Sequence, residues 1–162
     1  MDREWLADVV RFLGTLETAQ NQLLQQLDQH RLALIAGDHA GLSRIAAGEE
    51  GTCAQLRHLS GTRLRLLEAA GLPQTATLKE ALQNCPDAIA ARIFPLIQDA
   101  EVRSRQLQHI AWTVWILGNR GQSYCQEMLE LIAGGGQVAP VYEEHASHVP
   151  QTKGGMVLDA CA

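Results

Sequence analysis

A long apolar periodicity without proline constrains the fold of this chain more than any other feature of its sequence. Residues 4–36 contain no Pro, and apolar side chains recur there at alternating spacings of four and three from Trp5 to Leu23. Such spacing places side chains on one face of a helix. A neighbouring row from Leu6 to Leu34 widens that face, and amide-rich polar residues lie between the apolar positions. Residues 4–36 are therefore predicted to form one long helix with one buried face.

A second long helix is predicted to begin after Asp38 and to end at Ala70. Apolar residues recur through it at helical spacing, although it contains three Gly residues, each costing about 1 kcal/mol relative to Ala. Gly71 favours the left-handed conformation that ends a helix, and Pro73 cannot continue the hydrogen-bond ladder. The second helix should thus depend on packing more than on intrinsic propensity.

A short connector helix and a third long helix are predicted next. Thr77 and Glu80 have the spacing of a capping box, which predicts a helix from Leu78 to about Asn84. Helical periodicity then returns over residues 88–133, where Pro95 is expected to kink the helix or to mark a break near its first turns.

The last part of the chain has no helical pattern. Gly134, Gly135 and Gly136 stop the third long helix, and residues 134–162 show no apolar period. The predicted fold is all-α: an antiparallel hairpin of two long helices, a connector helix and a third long helix, resembling a coiled coil or an elongated bundle. We expect a helical bundle domain over residues 1–133 and a flexible tail over residues 134–162.

Composition and charge narrow the functional classes. Hydrophobic residues make up 46% of the 162 residues but aromatic residues only 4%, which favours helices over a β-sandwich. The net charge is −5 and the basic residues are scattered, so we expect no nucleic-acid partner. No apolar run reaches the length of a membrane span or a signal peptide, which predicts a cytoplasmic protein without direct membrane insertion. The four Cys residues are widely spaced, as expected for reduced thiols.

Two groups of residues could in principle support chemistry. Asp38 and His39 pair an acid with a base, but adjacent helical residues point about 100° apart. They are better interpreted as a turn in which Gly37 ends the first helix and Asp38 caps the second. His145 and His148 have the spacing of metal ligands but lie in the predicted tail. We therefore predict no catalytic residue, no metal and no cofactor, while an enzyme or metal sensor that uses these His residues and a Cys is a weaker hypothesis.

The third long helix carries a candidate recognition surface. Trp112 and Trp115 lie one helical turn apart, and Ile116, Met128, Leu129 and Ile132 follow them. These side chains either fill the core between the helices or form a binding surface, since Trp and Met are enriched in recognition surfaces. The sequence leaves both alternatives open.

Several segments are similar to those of a known family, the FlgN-like flagellar export chaperones. Residues 31–38, RLALIAGD, resemble the Ala-Leu-x-x-Gly-Asp turn that follows the Leu-rich first helix of that family. Residues 63–72, RLRLLEAAGL, resemble the end of its second helix. Asn119 lies where the family has a pair of Asn residues, and Tyr142 resembles a tyrosine found just beyond its last helix.

The resemblance implies a non-enzymatic cytosolic chaperone that binds hook-filament junction proteins, also called hook-associated proteins, before their secretion. For such a role we expect the client to contact the later part of the third long helix, where the candidates are Trp112, Trp115, Ile116, Met128, Leu129 and Ile132. Tyr142 would then dock at the cytosolic domain of the export-gate membrane protein. The alternative is a structural coiled-coil or bundle adaptor that self-associates, for example as a homodimer, and has no secretion client.

Overall fold

The computed structural model of the protein describes residues 3–83, 85 and 87–133. They form four helices, α1 (Arg3–Ala36), α2 (His39–Ala69), α3 (Leu78–Leu82) and α4 (Asp87–Ala133), and no strand occurs among them. The prediction of an all-α fold is confirmed. The chain divides into two compact units, residues 1–124 and 125–162, and the described part of the second unit is the helical segment 125–133.

A tight turn joins α1 to α2. Gly37 has a φ of 68°, the left-handed conformation that Gly adopts without a steric penalty. The backbone N–H of Asp38 donates to the Ala33 carbonyl at 3.0 Å, and the Asp38 carboxylate accepts from the Gly41 N–H at 2.9 Å. A Cβ atom on Gly41 would overlap that carboxylate, so a larger residue at this position would have to displace the capping side chain. The turn makes α1 and α2 an antiparallel hairpin.

The hydrophobic core lies at the base of this hairpin, where α1 begins and α2 ends. The Trp5 indole N–H donates to the Leu66 carbonyl at 2.8 Å and so connects the two ends of the hairpin. Val9 and Leu67 are fully buried beside this bond. The buried residues that contact each other here are Trp5, Val9, Phe12, Leu13, Ala19, Leu59, Leu66, Leu67, Ala76, Leu78, Ala81, Leu82, Cys85, Ile93 and Ile97.

The connector helix α3 closes one side of the core. Both bonds of the predicted capping box are present: the Thr77 hydroxyl accepts from the Glu80 N–H at 3.2 Å, and the Thr77 N–H donates to the Glu80 carboxylate at 2.8 Å. The helix ends at Leu82, two residues earlier than predicted, because the Cys85 N–H turns back to the Leu82 carbonyl at 2.9 Å. Burial of Leu82 at the end of this short helix attaches it to the core.

Helix α4 continues through Pro95, so the predicted break does not occur. Proline removes one backbone hydrogen bond from the helix interior. Pro95 is exposed, whereas Ile93 and Ile97 on either side of it are buried in the core. Packing of these two side chains holds the helix across the missing bond.

The first part of α4 lies alongside α1 and runs parallel to it. Near the start of both helices, Leu6 and Val10 line the same cavity as Ile89 and Ile93. About three turns later, Gln20 of α1 bonds to the following part of α4, as described below. This arrangement fixes the part of α4 that precedes the two Trp residues.

Candidate functional site

Trp112 and Trp115 are exposed side chains on α4. Their exposed fractions are 61% and 59%, and that of Ile116 beside them is 43%. The two indole rings contact each other edge to face, with centroids 5.2 Å apart and planes at 83°. Such an arrangement is favoured by the charge distribution of aromatic rings. These three residues form an apolar surface in the first unit, which we call the Trp surface.

The opposite side of α4 contains a different apolar row. Ile110 and Val114 are half-buried, as is Leu117 one turn further. Trp112 lies two residues after Ile110 and two before Val114, so at about 100° per residue it projects from the other side of the helix. The row of Ile110 and Val114 is therefore the partly covered side of α4, and the Trp surface is its uncovered side.

The remaining predicted contact residues belong to the second unit. Met128, Leu129 and Ile132 are all exposed, with Ile132 at 71%. The Gln126 amide donates to the Glu130 carboxylate at 3.2 Å within the same segment, as is usual for residues four apart on a helix. This segment thus presents apolar side chains among polar ones.

Three residues singled out in the sequence lie outside the described residues. They are Tyr142, predicted to dock at an export gate, and His145 and His148, considered as metal ligands. Within the described residues, no group of three His, Cys, Asp or Glu side chains is placed to hold a metal ion.

Asp38 and His39 do not form a reaction centre in this structure. The Asp38 carboxylate is occupied as the N-cap of α2, and the His39 side chain is exposed. The His39 backbone N–H donates to the Gly37 carbonyl at 3.1 Å, which is part of the turn. Asp38 and His39 therefore belong to the turn between α1 and α2 and to the N-terminal cap of α2.

A buried polar cluster positions α4 against α1. Gln20 is only 3% exposed, and its amide nitrogen donates to the Ala100 carbonyl at 3.1 Å and to the Ser104 hydroxyl at 2.9 Å. Its amide oxygen accepts from Arg103 Nε at 3.1 Å, and Arg103 also pairs with Glu17 at 3.1 Å. Both ends of the amide are satisfied, so the burial of Gln20 carries no unpaired group. We call this set the Gln20 cluster.

The far half of the hairpin holds a second polar contact. The His30 Nδ1 atom lies 3.0 Å from the Glu49 carboxylate, and both side chains are largely buried. This pair joins α1 and α2 at a level where few apolar residues are buried.

Sequence reasoning missed both polar contacts. Gln20 occurs in an amide-rich stretch in which its neighbours Asn21 and Gln22 are exposed, so its residue type does not distinguish it. The one available signal is position, because Gln20 lies seven residues after Leu13 and four before Leu24 in the second apolar row of α1. His30 and Glu49 carry no such signal, because their contact depends on the register of the two helices.

None of the described helices combines the length and the apolar character that crossing a membrane requires.

Comparison with known proteins identifies a family for this chain. No curated protein and no solved structure matches the chain. The family model described as FlgN protein matches residues 1–149, which is nearly the whole chain and includes all four helices. The chain therefore belongs to the FlgN family, a family of flagellar export chaperones and not of enzymes.

Proposed function

We propose that this protein is a cytoplasmic chaperone for hook-associated proteins, and that it binds them through the Trp surface and delivers them to the flagellar type III export gate. The observation that carries the proposal is the exposure of Trp112 and Trp115 on the uncovered side of α4. Large aromatic side chains are the residues most enriched at the energetic centres of protein interfaces.

The Trp surface has the properties needed to cover an apolar helix of a client. An indole ring buries about 150–250 Å² when it is fully covered, and each Å² of apolar surface is worth about 25 cal/mol. Covering the exposed parts of two rings therefore gives several kcal/mol before the cost of ordering the client. The edge-to-face contact between the rings favours one arrangement of the pair, which reduces the side-chain entropy lost on binding.

This chemistry matches the need of a secretion substrate. A protein held unfolded or partly folded before export exposes the apolar faces of its terminal helices, and these faces aggregate unless they are covered. An apolar helix face docks on an apolar surface through residues at spacings of three and four. No nucleotide is required, since the client is released when a competing site takes it.

Met128, Leu129 and Ile132 are proposed as client contacts in their own right. Their support is their exposure and the presence of Met, whose flexible side chain adapts to different partners. Tyr142 is proposed to dock at the cytosolic domain of the export-gate protein, on the basis of the family resemblance alone.

The test compares the double variant Trp112→Ala/Trp115→Ala with a matched control. The control is Leu32→Ala/Ile35→Ala, which removes an exposed apolar pair from a different helix, α1. The two side chains lie three residues apart, and Leu32 is 53% and Ile35 65% exposed. Binding of the C-terminal segment of a hook-associated protein is measured by calorimetry, and thermal unfolding is measured in parallel. We expect the Trp variant to lose at least about 2 kcal/mol of binding with little change in unfolding, and the control to bind normally.

Equal loss of binding in both double variants would contradict the proposed surface. If the wild-type chain binds no hook-associated segment but forms a discrete dimer that the Trp variant abolishes, the protein is the self-associating adaptor instead.

A further inference from the structure

The charged residues of α4 that flank the Trp surface along the sequence, within residues 102–124, are all of one sign. Residues 102–124 contain three Arg residues and one His but no Asp or Glu, whereas the whole chain has 18 acidic and 13 basic residues. This stretch of α4 therefore has no acidic residue of its own beside its Arg residues. It coincides with the part of α4 in which no residue is buried.

Three of these charged residues form a single line along the helix with Trp112 and Ile116. Arg105, His109, Trp112, Ile116 and Arg120 follow one another at spacings of four, three, four and four. These spacings keep side chains on one face of a helix. The line, which we call the α4 strip, has a cation at each end and the apolar residues between them. At about 1.5 Å per residue, its two Arg residues are about 22 Å apart along the axis.

The two terminal Arg residues have no counter-ion among the residues that the structure describes. Arg103 is engaged by Glu17 and Gln20, but neither Arg105 nor Arg120 forms an ion pair with any residue that the structure describes. Both are exposed. Their charges are consequently available to a partner, and a partner carboxylate near either of them needs no existing ion pair to break.

We propose that the α4 strip takes an acidic amphipathic helix, whose apolar residues cover Trp112 and Ile116 and whose carboxylates pair with Arg105 and Arg120. The inference rests on the proposed client-binding role of the same surface and adds the charge pattern of the client. In the client helix, the apolar residues lie at spacings of three and four, with acidic residues about two turns to either side. Complementary charge accelerates encounter and rejects partners with the wrong sign.

An anionic membrane surface is the other partner that a basic and aromatic helix face attracts. The strip fits it less well, because only two unpaired Arg residues lie on it and the chain as a whole is acidic. Each basic residue near an anionic bilayer contributes only about 1 kcal/mol, so two of them give weak attraction. The observations therefore favour the acidic helix.

The test uses two synthetic peptides of about 18 residues, a length at which helix formation becomes practicable. Both carry the same central Leu residues at spacings of three and four. One has Glu about two turns to either side, and the other has Lys at the same positions. Binding of each to the full chain is measured by fluorescence anisotropy at low and high NaCl. We expect the wild-type chain to bind the Glu peptide at least about tenfold more tightly than the Lys peptide, with the preference shrinking as salt rises.

The variant Arg105→Glu/Arg120→Glu should lose or reverse this preference. Its matched control is Arg44→Glu/Arg57→Glu, which makes the same change of charge at two exposed positions of α2 and should keep the preference. The milder pair Arg105→Gln/Arg120→Gln removes the cations without adding acids, and it should abolish the preference even if the reversal variant folds poorly.

Equal binding of the two peptides by the wild-type chain overturns the inference. So does an equal loss of preference in the control, because the overall charge and not the strip would then be responsible. Binding to phosphatidylglycerol vesicles that depends on Arg105 and Arg120, without any peptide preference, assigns the strip to a lipid surface and also overturns it. Failure of the proposed function is distinguishable, because it is measured with the hook-associated segment: the wild-type chain does not bind it, or Trp112→Ala/Trp115→Ala and Leu32→Ala/Ile35→Ala affect its binding equally.

Discussion

Two stretches of the continuous helix α4 differ in how far their apolar side chains are buried. Among the side chains of α4 described between Ile89 and Ala100, four are buried: Ala90, Ile93, Ile97 and Ala100. Between Glu101 and Tyr124 no residue of α4 is buried, although this stretch contains two Trp residues and several large aliphatic ones. The first stretch belongs to the core at the base of the hairpin, and the second leaves its largest side chains uncovered. Apolar content alone therefore does not indicate which part of a helix stabilises the fold.

The largest expected difference between the two stretches is in stability. Ile97→Ala removes buried methyl groups from the core and should lower the free energy of unfolding by about 2–5 kcal/mol. Trp112→Ala removes a mostly exposed ring and the edge-to-face contact with Trp115, and it should cost about 1 kcal/mol or less. Urea denaturation of both variants measures the two values. The comparison fails if the Trp substitution proves as destabilising as the Ile substitution.

The boundary between the two stretches is held by the Gln20 cluster, which the next variant tests. Gln20→Ala leaves the Arg103 guanidinium with only Glu17 and deprives the Ser104 hydroxyl of its amide partner, so we expect a loss of about 1–3 kcal/mol in stability. Gln22→Ala, two residues away and exposed, is the matched control and should change the stability by less than about 0.5 kcal/mol. Similar denaturation midpoints for the two variants would mean that apolar packing alone positions α4.

The smallest effect is expected in the uncovered stretch itself. A Cβ atom at Gly121 would meet no other group, so Gly121→Ala should favour the helix by at most about 1 kcal/mol. Because no residue around it is buried, this stretch should open locally without unfolding the core. We expect slower amide hydrogen exchange near residue 121 and an unchanged global denaturation midpoint. A clear rise of the global midpoint would show that the stretch unfolds together with the core.

Much of this fold follows from local chemistry and could therefore be predicted. The turn at Gly37 and Asp38, the helix end at Gly71 and the capping box of Thr77 and Glu80 each depend on a few adjacent residues. Of the kink or break expected at Pro95, the break does not occur, because a distant contact, the packing of Ile93 and Ile97, compensates for a local defect. Local signals thus predict where helices begin and end better than they predict what a helix tolerates in its interior.

The candidate site was harder to predict, because it depends on which side of α4 is covered. Both the row of Ile110 and Val114 and the pair of Trp112 and Trp115 have the spacing of a buried helix face. Only the packing of α4 within the fold decides between them, and it leaves the Trp pair exposed. The burial of Gln20 has the same cause. The exposure of the Trp pair and the burial of Gln20 both depend on helix–helix register, which is difficult to predict from a single sequence.

The distribution of the three Trp residues has a practical consequence for spectroscopy. Trp5 is enclosed in the core and bonded to Leu66, so its emission reports whether the bundle is folded. Trp112 and Trp115 stand in solvent, so their emission is sensitive to quenchers and responds to whatever covers them. The intrinsic fluorescence of the protein thus provides separate signals for folding and for docking. Replacing Trp5 with Phe isolates the docking signal, and replacing Trp112 and Trp115 with Phe isolates the folding signal.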